Sequence, residues 1–370
     1  MFESWRDFPR RGTGGDSKVI LGLFFLSVLF YAFARTIPEY GSDALKGKMV
    51  EAAKIMRQAT VVLKECREER RIRPDLTTDI NDTGLIGLEL SSITTSLGNL
   101  KAKRTSADPN FAGLAVYLLD ACGAGKGDII AVGASSSFPA LIIAVLSAAK
   151  AMEVKPLVIC SLGASQWGAN NPAFHWLEIW DCLYESGIFS VRPIALSLGG
   201  ERDMGTDMGE SGRMLLEEDI RRSGLPFIRE PDLRGNVRLR MDLYEKNAGE
   251  RSIKAFVNIG GSWANMGADS SVLHLKPGLN RLGDFPPPEK RGVIFAMAAK
   301  NVPVIHLLYI KGLAREYGFP WDPLPLPQPG KGLLYDSLKG YKLSFVISAC
   351  LFLVLVLTAV VFRRRFAGED

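Results

Sequence analysis

A junction at residues 127–139 sets the terms for the whole chain. A short apolar run, Ile129-Ile130-Ala131-Val132, ends in Gly133 and passes through Ser135, Ser136 and Ser137. An alanine-rich apolar segment then opens behind Phe138-Pro139. That is the order strand, turn, helix start. The pattern predicts a serine cap, with Pro139 in the first helical turn, where its missing N–H costs nothing. The free N–H groups and positive end of such a helix favour an anion against the turn. The device recurs twice. A run over 156–160 delivers Leu162-Gly163-Ala164-Ser165-Gln166-Trp167-Gly168-Ala169-Asn170, and a run over 254–259 delivers Gly260-Gly261-Ser262-Trp263. If these strands are parallel, their ends meet in one crevice, where open α/β sheets bind ligands.

Strand and helix signals alternate through the chain, so the expected class is α/β: a mostly parallel, Rossmann-like sheet flanked by helices, with one transmembrane helix at each end. The first apolar run covers residues 19–34 and is closed by Arg35. The second covers 343–362 and is followed by Arg363, Arg364 and Arg365. Both read as membrane spans, the second more strongly because it has a basic stop. A signal peptide is the other reading of the first, since Ala32-Phe33-Ala34 resembles a cleavage site. The expected organisation is a cytoplasmic tail over 1–18, a span over 19–35, an amphipathic basic stalk helix over 43–73 and an extracytoplasmic domain over 74–318. A proline-rich linker over 319–342, a span over 343–362 and a basic tail over 363–370 complete it. That places the chain in the cell membrane, with both termini cytoplasmic.

With 370 residues the chain can bury a full-sized core, and its net charge of +5 is modest for that length. The two tails carry +2 of this, which leaves the middle at 38 Lys and Arg against 35 acids, near neutral, so an anionic partner needs a local basic patch. Lys101, Lys103 and Arg104, beside Thr94, Thr95 and Ser96, offer one. His175, His274 and His306 are scattered with no HxxxH pair, which argues against a metal site. There is no GxGxxG and no Walker-type loop, so no nucleotide cofactor is expected; no nucleic-acid partner is expected either. The five cysteines show no CxxC spacing, and spacing alone establishes no disulfide.

The stretches Ile93-Thr94-Thr95-Ser96-Leu97-Gly98, Lys103-Arg104-Thr105 with Asp108-Pro109, and Ser137-Phe138-Pro139-Ala140 carry a resemblance. So do Gly163-Ala164-Ser165-Gln166-Trp167-Gly168-Ala169-Asn170, Gly199-Gly200 with Asp203 and Gly205, and Phe256-Val257-Asn258-Ile259-Gly260-Gly261. Over about residues 40–320 and the two ends, the chain resembles the poly-γ-glutamate system protein family. The resemblance implies a role beside the enzymes that make and export poly-γ-glutamate, a polyanionic capsule or released polymer, with the polymer or its synthase subunits as partners. It supplies no catalytic residues.

Two functions follow as expectations. The first is a non-enzymatic accessory protein of polymer biosynthesis, export or tethering. Its ligand-binding candidates are Thr94, Thr95, Lys101, Lys103, Arg104, Ser135, Ser136, Ser137, Ser165, Trp167, Asn170 and Ser262. The second is a polymer hydrolase or transferase with a serine nucleophile. Gly260-Gly261-Ser262-Trp263-Ala264 approaches the GxSxG elbow, with alanine in the last place. Ser262 with Asp269 and His274 or His306 could supply a triad, and Ser165 is an equal candidate.

Overall fold

The computed structural model describes residues 13–36, 42–337 and 343–366. In chain order its elements are α1 (Thr13–Thr36), α2 (Ser42–Glu69), α3 (Leu100–Ser106), α4 (Asn110–Ala121), β1 (Ile129–Ser135), α5 (Pro139–Met152), β2 (Lys155–Ser161), β3 (Asn170–Asn171), β4 (Phe174–His175), α6 (Trp176–Glu185) and β5 (Ala195–Ser197). There follow α7 (Glu210–Ser223), β6 (Phe227–Ile228), α8 (Leu233–Ala248), β7 (Ile253–Ile259), α9 (Trp263–Met266), β8 (Gly278–Asn280), α10 (Val293–Ala298), β9 (Val304–Leu307), α11 (Ile310–Tyr317), α12 (Leu333–Ser337) and α13 (Leu343–Phe366). The chain divides into two compact units, residues 1–43 with 337–370, and residues 44–336.

In the first unit α1 and α13 pack together, with Phe30 edge-on to Phe352 at 6.2 Å. Both apolar ends are helical, but the expected spans are not supported. Among the described residues no helix is long and apolar enough to cross a membrane. The side chains described in these helices cover 21–32 and 347–358. The two-span architecture, the membrane localisation and the extracytoplasmic placement of the domain are corrected accordingly. Residues 1–12 and 367–370, with the side chains of the arginine run, lie outside the described residues.

The second unit is the α/β domain. Its seven-stranded sheet has the order β6-β5-β2-β1-β7-β9-β8, parallel throughout except for β8 against β9. β1 is buried along its whole length because it is covered on both faces. That is why it reads as a continuous apolar run and not as an alternation. From β1 the chain winds outward through β2, β5 and β6, then returns to the other side of β1 as β7 and continues to β9. Right-handed crossovers place helices of the outward and return paths on opposite faces. On the return side α8 and α10 pack Leu233, Val237, Met241, Val293 and Phe295 against Ile129, Ala131, Leu157 and Phe256. The strand order reverses between β1 and β7, so the crevice at their C-terminal ends is the topological switch point.

The long helix expected from the stripe of Met49, Ala53, Met56 and Leu63 is α2, and these residues are fully buried. It is packed into the domain, and a disulfide joins its Cys66 to Cys182 of α6. The proline-rich stretch lies along the domain as well. Asn81 Nδ2 donates to the Pro323 carbonyl at 2.9 Å, and the Gly330 N–H donates to Asn110 Oδ1 at 2.8 Å. The glycine- and acid-rich loop after β5 is pinned by a buried ion pair. Arg240 Nη2 lies 2.6 Å from Asp203 Oδ2, and Asp203 Oδ1 accepts from Ser197 Oγ and from the Gly199 N–H.

Candidate functional site

A cleft of about 900 Å³ opens over the switch point. Its walls come from the ends of the strands. Ser135 ends β1, and Ser137 and Phe138 follow it; Gly163 and Ser165 follow β2; Gly261, Ser262 and Trp263 follow β7. The segment Thr95–Asn99 and Lys103 of α3 close one side. Two glycines let these turns approach. Gly260 turns at φ +79°, which a side chain resists. A Cβ on Gly168 would stand 2.8 Å from Ser137 Cα, so only glycine brings the 165–170 loop down onto the β1 turn.

At the floor is a lysine without an acid. Lys103 is 2% exposed, and among the described residues no carboxylate pairs with it. Its Nζ donates to Ser165 Oγ at 2.8 Å and to the Ser137 carbonyl, and stands 3.9 Å from the centre of the Phe138 ring. Burial disfavours the ammonium form and pushes its pKa from the usual 10.5 down to about 7. Lys103 is therefore a base poised near neutrality, in contact with a hydroxyl. The Ser165 backbone is fixed as well. Its N–H donates to Ser137 Oγ at 3.0 Å, and Ser137 Oγ in turn accepts from Ser135 Oγ at 3.0 Å.

That use of the hydroxyls corrects the expected helix cap. Phe138 occupies the cap position of α5 with no side-chain hydrogen bond to the helix, although Pro139 does open it. The serines bond to each other and to the 165 loop instead.

Of the residues expected in the crevice, Thr95, Lys103, Ser135, Ser137, Ser165 and Ser262 line it. The others are placed elsewhere. Ser136 is fully buried and donates to the Ser161 carbonyl at 2.5 Å. Asn170 and Thr94 form a brace: Asn170 Nδ2 donates to Thr94 Oγ1 at 2.9 Å and to the Leu88 carbonyl at 2.8 Å. Trp167 adopts φ +56° and donates its backbone N–H to Leu88. Lys101 is exposed on α3. Arg104 holds Asp322 with Nε and Nη2, each at 2.6 Å.

The expected triad does not assemble. Ser262 Oγ has no hydrogen-bond partner among the described residues. His274 is exposed, and Asp269 Oδ1 accepts from the Ser271 N–H at 3.0 Å. His306 shares Nδ1 with Asn258 Nδ2 at 3.0 Å, and burial drives its pKa down to about 4. The one histidine among several carboxylates, His175, lies between Glu178 and Asp219 at 3.1 and 2.9 Å as the cap of α6. Among the described residues these three are the group that could hold a metal ion. Both ring nitrogens already have partners there.

The charges of the cleft are mixed. Glu201, Asp207 and Asp269 line it together with Lys103. Desolvation raises the pKa of Asp207, while the hydrogen bonds from Ser271 hold Asp269 low. The sequence did not single out the Phe138 ring as the platform under Lys103, or Asp322 as the partner of Arg104. Each depends on a fold-level juxtaposition that residue spacing does not encode. No protein-family model, curated protein or solved structure matches this chain.

Proposed function

We propose that this chain is a serine–lysine acyl hydrolase or transferase acting on γ-glutamyl amide bonds in poly-γ-glutamate metabolism. The observation that carries the chemistry is the 2.8 Å contact between Lys103 Nζ and Ser165 Oγ at the switch-point cleft. Ser–Lys pairs are an established variant of the nucleophile–base arrangement. In its neutral form Lys103 takes the Ser165 proton as Oγ attacks the amide carbonyl, and the resulting ammonium returns a proton to the leaving amine. An acyl–serine remains. A water or an acceptor amine then attacks it, losing its proton to Lys103, which passes a proton to Oγ as the acyl–oxygen bond breaks and Ser165 is released.

The γ-glutamyl substrate rests on the sequence resemblance. A purely polymer-binding accessory role asks for a cationic cleft. Here one lysine of depressed pKa faces three carboxylates, with Lys101 and Arg104 outside the lining. The same acids make short γ-glutamyl oligomers better substrates than long ones, because every added residue adds a carboxylate. The test is incubation of the full chain with γ-glutamyl oligomers of defined length. Shortening or transfer that survives Ser262→Ala and is lost in Ser165→Ala and Lys103→Met supports the reading. Turnover that persists in Ser165→Ala overturns it.

A further inference from the structure

Lys103 sits on a seven-residue helix that cannot hold its own geometry, since isolated helices this short are marginal in water. Something else must fix it. The next two residues are tied to one distant aspartate. Arg104 grips Asp322 with Nε and Nη2, both at 2.6 Å, with the two side chains only 12% and 14% exposed. Thr105 Oγ1 accepts from the Asp322 N–H at 2.9 Å. The chain around Asp322 is itself anchored on both sides. The Leu326 N–H donates to Asn81 Oδ1 at 3.1 Å, Asn110 Nδ2 donates to the Gln328 carbonyl at 3.1 Å, and Phe319 stacks on Phe111 at 4.3 Å.

The geometry points to Asp322 as a positioning residue for the Ser165–Lys103 pair: through Arg104 and Thr105 it clamps the helix that presents Lys103 to Ser165. The inference rests on the acyl-transfer reading for its functional meaning, but its physical content can be measured without it. A bidentate fork fixes angle as well as distance. Loosening it lets α3 tilt, which lengthens the Nζ–Oγ contact and admits water to Lys103. The groups facing Lys103 are the Ser137 carbonyl, the Ser165 hydroxyl and the Phe138 ring. Glu201, Asp207 and Asp269 share its cleft, and Lys101 and Arg104 are the charges on its own helix.

The experiment titrates Lys103 in the full chain by acetic anhydride labelling, read by mass spectrometry across pH. Labelling of Ser165 by a fluorophosphonate is followed in parallel. In Asp322→Asn the Lys103 midpoint climbs from about 7 toward 10.5. Ser165 labelling slows on the order of 10- to 100-fold, the penalty of an ångström-scale misplacement. Arg104→Lys, which keeps the charge and loses the fork, shifts both in the same direction by less, and it carries the test if Asp322→Asn does not fold. Folded variants with unchanged Lys103 midpoint and unchanged Ser165 labelling overturn the positioning role. A midpoint that moves while Ser165 is never labelled, even in wild type, upholds the positioning and removes the acyl-transfer reading instead.

Discussion

Replacing Lys103 by methionine should make the protein more stable at low pH and less stable at high pH. The sign follows from proton linkage. The folded protein holds Lys103 at a pKa of about 7, against 10.5 when it is exposed. Below about pH 7 both states are protonated, and folding carries the full cost of burying the ammonium. Between the two pKa values the unfolded chain binds more protons, so the cost falls as pH rises. At about 1.4 kcal/mol per pKa unit, the cost is about 5 kcal/mol at pH 6 and about 2 kcal/mol at pH 9. Methionine removes it. The substitution also strips the hydrogen bonds to the Ser137 carbonyl and Ser165 Oγ, a pH-independent loss of about 1–2 kcal/mol. The net effect is a gain of about 3 kcal/mol at pH 6 that vanishes near pH 9 and reverses above it. Urea unfolding of the full chain and of Lys103→Met across that range measures the difference directly. A stability difference that does not change with pH would refute the reasoning, because it would mean that Lys103 keeps an ordinary pKa.

Three further outcomes are expected. Acyl-transfer activity should rise with pH through about 7 as Lys103 loses its proton, and Lys103→Arg should abolish it across the range, since a guanidinium stays charged; a flat pH–rate profile would contradict this. Asp203→Asn should destabilise the fold by about 3–5 kcal/mol by leaving Arg240 charged and buried, measurable as a drop in urea midpoint, with an unaltered midpoint as the contrary result. Ser136→Ala should cost about 1 kcal/mol through its lost bond to the Ser161 carbonyl, yet leave turnover intact, because Ser136 does not line the cleft; loss of turnover in a folded Ser136→Ala protein would reassign that hydroxyl.

The parallel sheet and its crevice were legible because the strands buried on both faces leave apolar runs, and glycine and serine follow them. The helix α2 was legible from its stripe at spacings of three and four. The membrane assignment read the hydropathy of the two ends, which the described helices do not support. The site was only half legible. Ser165 and Ser262 follow equivalent strand ends, and Gly260-Gly261-Ser262 looks more like a nucleophile elbow. What separates the serines is a base, and Lys103 reaches Ser165 from 62 residues away in sequence. A lysine in a run of serines, threonines and basic residues reads as a solvated side chain. Its burial is set by the cleft walls and by the Phe138 ring. Arg104 read as an anion ligand for the same reason, while its carboxylate partner lies 218 residues further along the chain.

The most direct test of the Ser165–Lys103 pair is fluorophosphonate labelling of the full chain, with the adduct mapped by peptide mass spectrometry at several pH values. The account predicts a single phosphonylated residue, Ser165, labelled faster as pH rises through about 7 and not labelled in Lys103→Met. An adduct on Ser262, or none on Ser165 in a folded protein at pH 9, would contradict it.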